Sequence, residues 1–107
     1  MTAAVRIDIS AGLVIWPDDK YAPVPIKMHK RGFAVHPSFG DGWFKWTVSC
    51  PCGLALGRYH FLKQAKAVLR LLAEMAVNPD ALNGQEMFGG KEATLEFRAR
   101  LEEIAWS

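Results

Sequence analysis

The chain has 107 residues, half of them apolar, with 13 Lys and Arg against 11 Asp and Glu and a formal charge of +2. That length suits one domain with a core of its own and is too short for two conventional ones. The small positive excess excludes the dense basic footprint of a dedicated duplex binder, and no apolar run approaches the roughly 20 residues that cross a bilayer.

Val5, Ile7 and Ile9 alternate with Arg6, Asp8 and Ser10, the period of a strand with one buried face. The alternation lacks the continuous apolar segment of a signal peptide. With Cys50 and Cys52 as the only cysteines, no disulfide framework is expected and a cytoplasmic location is the default. Leu13–Trp16 predicts a second strand, and Ala11-Gly12 a turn joining the two as a hairpin. From Pro17 to Pro25 the chain reads as a loop, because Pro23 and Pro25 lack the donors that a central strand needs.

Ile26–Lys30 predicts a short strand, Gly32 a turn, and Phe33–His36 a strand stopped by Pro37. The next turn is expected over Ser38–Gly42, where Gly40 and Gly42 take positive φ cheaply. In the strand expected over Trp43–Ser49, Phe44, Trp46 and Val48 share the inner, core face; Trp43, Lys45, Thr47 and Ser49 share the outer one. After Cys50-Pro51-Cys52-Gly53 comes a partner strand, Leu54–Leu56, closed by Gly57. Residues 33 to 57 thus predict a three-stranded antiparallel meander.

The period then changes. Phe61, Ala65, Val68, Leu69, Leu72, Ala73 and Ala76 form a stripe that predicts a helix over 61–77. Lys63, Lys66, Arg70 and Glu74 mark its wet side. Pro79 cannot continue it, and Asn78 is placed to cap a short turn at Pro79-Asp80. A connection framed by Asn83-Gly84 and Gly89-Gly90 leads to a last helix over 91–105, with Phe97, Leu101, Ile104 and Ala105 buried, Glu96 paired with Arg100, and Trp106 closing its end. Leu71 and Met75, with Ala67, widen the first helix's apolar arc beyond what one sheet contact requires. Either the last helix or a second copy of the chain would cover them.

Chemistry-bearing patterns are weak. Zinc sites separate paired cysteines by two or more residues and need four ligands; here one residue intervenes, and His29, His36 and His60 lie on different elements. Cys50 and Cys52 therefore read as structural thiols at a tight turn, since the usual redox motif is Cys-x-x-Cys before a helix. Cys52 and His60 match a nucleophile and base in type only, without an oxyanion loop or a third orienting group. Asp18, Asp19, Asp41 and Asp80 read as turn residues, and Gly40–Gly42 and Gly89-Gly90-Lys91 lack full phosphate-loop spacing. No catalytic residue, metal or cofactor is expected.

Trp46–Gly57, with its Cys50-Pro51-Cys52 turn, followed by Phe61–Ala65, resembles a pattern in small proteins of actinobacteria and their phages: a strand, a tight turn and a short strand leading into a helix. The resemblance implies an accessory or host-modulating protein that binds DNA or a host protein.

The expected fold is α+β, an antiparallel sheet of four or five strands with two main helices packed on one face. The expected function is non-enzymatic recognition of an acidic macromolecular partner, a host protein or a second copy, through Trp43, Lys45, Arg58, Lys63, Lys66 and Arg70. Two alternatives stand beside it: sequence-nonspecific nucleic-acid binding by the same groups, with His36 and Trp43 meeting unstacked bases, and homo-oligomerisation through Leu71 and Met75.

Overall fold

The computed structural model describes residues 4–40, 42–81 and 83–105. Its main body is α+β: a four-stranded antiparallel sheet in the order β4-β5-β6-β7, carrying two main helices. The strands are β4 (Met28–Lys30), β5 (Phe33–Pro37), β6 (Trp46–Ser49) and β7 (Ala55–Tyr59). A smaller three-stranded sheet precedes it: β1 (Arg6–Asp8), β2 (Leu13–Ile15) and β3 (Val24–Pro25), in that order.

Local chemistry explains the turns. In the β1–β2 hairpin the Asp8 carboxylate accepts bonds from the Ser10 hydroxyl (2.7 Å) and the Ala11 N–H (3.1 Å). Those bonds hold the Asp8 carboxyl below its ordinary 3.8. β3 was expected to be loop; it is a two-residue edge strand in which Pro25 lies opposite Leu13, a place where a missing donor is tolerated. β4 and β5 meet through Arg31-Gly32, both at positive φ (53° and 86°) as a two-residue hairpin turn of matching twist requires. Arg31 tolerates that conformation while its guanidinium donates to the Ala73 carbonyl at 2.8 Å and to the Ala76 carbonyl. It thereby satisfies the free carbonyl end of the helix above the sheet.

That helix, α1 (Leu62–Met75), lies across all four strands. Ala65, Val68, Leu69 and Leu72 are buried along it and meet Phe33, Val35 and Val48 from the sheet. Each of the larger side chains contributes about 1.5–3 kcal/mol by leaving water. The connection left undefined in sequence contains a short helix, α2 (Gly84–Phe88), capped by the Asn83 side chain accepting from the Glu86 N–H at 2.9 Å. Met87 and Phe88 are buried. The last helix, α3 (Lys91–Ala105), packs on α1 and α2, and Phe97 stacks on Phe88 with centroids 4.4 Å apart. Arg100 pairs with Glu74 of α1 at 3.3 Å rather than with Glu96. Asp41, Trp106 and the side chain of Ala105 lie outside the described residues.

Leu71 is only 4% exposed, and Met75 is half-buried against the core. α3 accounts for this, since Arg100, Glu103 and Ile104 line the same groove as Leu71. The wide apolar arc of α1 therefore faces a helix of the same chain, which removes Leu71 from the accessible surface that the oligomer reading needed.

Two further expectations are corrected. β6 begins at Trp46, so Trp43, Phe44 and Lys45 precede the strand, and Phe44 is exposed rather than core. The opposite face of β6 is not wet either: Thr47 and Ser49 are buried. The first 40 residues supply the cover, through Trp16, Tyr21 and Phe39, whose rings lie within 5.1–5.9 Å of one another. Those rings and the two β6 hydroxyls line one small cavity. Parity alone cannot distinguish a face in water from a face under a second layer.

Candidate functional site

Trp46 pairs with Tyr59, so the chain entering β6 and the chain leaving β7 emerge side by side at one end of the sheet. Trp43-Phe44 thereby meets His60-Phe61. The His60 ring sits between the others, with its centroid 4.6 Å from Phe44, 5.3 Å edge-on from Trp43 and 6.3 Å from Phe61. Trp43 is 78% exposed, Phe61 61% and Phe44 43%. A single exposed ring is ordinary, but contiguous rings in water make an apolar patch of the kind that marks an interaction surface.

The start of α1 lies in the same place and breaks the usual rules for a helix N-terminus. Its cap residue is Phe61, which has no side chain to accept a backbone N–H, and the first turn carries no acid. Lys63 stands there instead, against the helix dipole. Backbone N–H groups without a side-chain cap, an ammonium and exposed rings thus meet at one end of the sheet. Departures from local preference without a packing reason concentrate at functional sites.

The six predicted partner-binding residues divide. Trp43, Lys45 and Lys63 belong to this junction by position, and Lys66 stands one turn along α1, half-buried. Arg58 lies opposite Thr47 and so projects from the other face of the sheet. Arg70 sits about 10 Å further along the helix than Lys63 at 1.5 Å per residue, where Glu74 and Glu103 share its groove. Among the described residues none of these five cations forms an ion pair. Phe44, His60 and Phe61 were missed as site residues. Phe61 resembled the first residue of the helical stripe, and Phe44 shared parity with Trp46 and Val48. Aligning the two strands about the Cys50–Gly53 turn was the available signal, because it brings 43–44 beside 60–61.

No family model, curated protein or solved structure matches this chain.

Two other polar features are structural. Cys50 and Cys52 are joined by a disulfide, with Cα atoms 5.3 Å apart, contrary to the expected thiols. The turn through Pro51, closed by the Gly53 N–H on the Cys50 carbonyl at 2.9 Å, brings the two sulfurs together. In this state Cys52 is not a nucleophile for His60. The second feature is a buried pair. His36 Nδ1 lies 2.9 Å from the Pro37 carbonyl, which can only accept, so Nδ1 carries the proton; Nε2 then accepts from the Ser49 hydroxyl at 2.9 Å. Burial holds the His36 pKa below 6.5 and favours the neutral ring. The alignment resembles an activated hydroxyl, but both side chains are 1% exposed. The hydrogen bond, together with Ser38–Thr47 at 2.7 Å, ties β5 and its following loop to β6.

Proposed function

We propose that this protein acts by recognition rather than catalysis, binding an acidic partner protein through the junction of Trp43, Phe44, His60 and Phe61 with Lys45 and Lys63. The reading rests on one observation above all: three large rings packed around His60 and left in water beside cations that form no ion pair among the described residues. The rings bury area when the partner docks, and the cations steer and align its carboxylates. An accessory, host-modulating role fits such a surface.

Nucleic acid is the competing partner, since exposed rings beside lysines can also stack on single-stranded bases. The test is affinity capture with wild type against Trp43→Ala and Phe61→Ala, followed by titration of the purified partner and of a single-stranded oligonucleotide at several salt concentrations. Each variant is expected to lose about 2 kcal/mol, near 30-fold in affinity, the scale of an interface anchor, with its melting curve unchanged. Tight oligonucleotide binding that collapses steeply with salt, with no protein retained, would transfer the site to nucleic acid. Full binding by both variants would remove it altogether.

A further inference from the structure

β7 ends the four-stranded sheet, and the direction of each of its backbone groups follows from the ladder. The Ser38 N–H donates to the Lys45 carbonyl at 2.9 Å, which directs the backbone groups of Lys45, Thr47 and Ser49 towards β5. Antiparallel pairs alternate, so Trp46 and Val48 bond to β7, and the Cys50 N–H bond to the Leu54 carbonyl at 2.9 Å continues that phase. Tyr59 and Gly57 are their partners. Arg58, opposite Thr47, therefore directs its N–H and C=O away from the sheet.

The two sides of this open edge differ. On the helix side lies a cleft of about 300 Å³, lined by Leu54 just before the strand, by Leu56 and Tyr59 on it, and by Phe97 and Leu101 of α3. On the other side stands Arg58, exposed and without an ion-pair partner among the described residues. A strand laid along β7 would send alternate side chains to these two environments.

The geometry points to an extended peptide with alternating acidic and apolar residues that adds antiparallel to β7 as a fifth strand, continuing the antiparallel order of the sheet. Its apolar side chains enter the cleft, and its carboxylates pair with Arg58. Backbone bonds supply the affinity and the two faces supply the selectivity. A second copy is a poor occupant, because Ala55–Tyr59 contains no acid and edge-to-edge pairing would set Arg58 against its own charge. This inference rests on the recognition role proposed for the junction, since β7 runs directly into His60 and Phe61.

The experiment titrates the isotope-labelled full chain with a capped peptide about ten residues long, in which glutamates alternate with valine and leucine. Two N-methylated versions accompany it. The glutamate opposite Arg58 shares its face and forms the bonded pair, so methylating the glutamate nitrogens blocks the edge, whereas methylating the valine and leucine nitrogens does not. Expected are at least about tenfold slower exchange of the Arg58 amide, a loss of roughly 30-fold for the glutamate-methylated peptide, and retention within about threefold for the other. Arg58→Pro is expected to abolish binding, because proline removes the outward N–H without touching a bond to β6. The peptide pair keeps the test decisive if that variant misfolds. Equal binding by the two methylated peptides, or no protection of the Arg58 amide at millimolar peptide, overturns strand addition. If the peptide shifts Trp43 and Phe61 while Arg58 exchange is unmoved, strand addition fails and the junction stands as the binding surface. Loss of junction binding in the Trp43→Ala test is the separate measure of that surface.

Discussion

Gly53→Ala is expected to be among the most damaging single-methyl additions to this chain. Gly53 has φ +90°, and a Cβ built on it would lie 2.0 Å from the Val5 carbonyl oxygen. The obstructing atom is backbone, so no side-chain rotation relieves the clash and the start of the N-terminal sheet has to retreat. The left-handed conformation costs an alanine about 1–2 kcal/mol. The retreat also breaks the bond from the Val5 N–H to the Gly53 carbonyl, 3.0 Å long, a loss of about 1 kcal/mol, before any loosening of the layer over Thr47 and Ser49. Together these give about 2–4 kcal/mol, or a fall in melting temperature of roughly 10–25 °C for a domain near this size. Gly12→Ala is the control, because Gly12 has φ +69° but nothing within 4 Å of its added Cβ, so only the conformational cost of about 1–2 kcal/mol applies. Urea and thermal unfolding of both variants, with exchange of the Val5 amide, measure the difference. If Gly53→Ala costs no more than Gly12→Ala and Val5 keeps its protection, the N-terminal sheet is not docked on the hairpin turn as described.

Two further outcomes follow from named contacts. Arg31→Ala is expected to cost about 1–2 kcal/mol by freeing the last carbonyls of α1, with faster amide exchange confined to that helix end; Arg31→Lys recovers only part, lacking the forked geometry. His36, held below 6.5 by burial, makes the fold acid-sensitive. Its contribution is intact above pH 6.5, where both folded and unfolded rings are neutral. It is lost as pH falls beneath that value towards the depressed folded pKa, because the unfolded chain takes up a proton that the folded chain refuses. Asp8 acts only near and below 3.8, so urea midpoints between pH 4.5 and 6.5 isolate His36; a flat profile, or the same slope in His36→Gln, refutes the assignment.

Much of the architecture was legible because short-range rules govern it. The alternation of Val5, Ile7 and Ile9 with polar neighbours, the apolar run from Leu13 to Trp16, the stripe from Ala65 to Ala76 and the run from Phe97 to Ile104 each declared an element, and the observed strands and helices follow them. Gly32 marked a real turn. Phe61 failed because a helix cap and a first buried residue look alike in sequence, and one residue of offset turns a core ring into an exposed one. Thr47 and Ser49 failed because their polar side chains imply water, while a bond to His36 or Ser38 satisfies them equally well indoors. The α2 helix was missed because five residues carry too little periodicity to declare themselves.

The chain's own order of residues therefore settled the type of the longer elements and the α+β class, since each depends on side chains a few positions apart. Which faces end in water was decided only when distant segments met: the N-terminal sheet over Thr47, α3 over Leu71, and the two sheet ends that bring Trp43 to His60. Burial depends on what arrives from elsewhere in the chain, and a residue's immediate neighbours carry no record of that arrival.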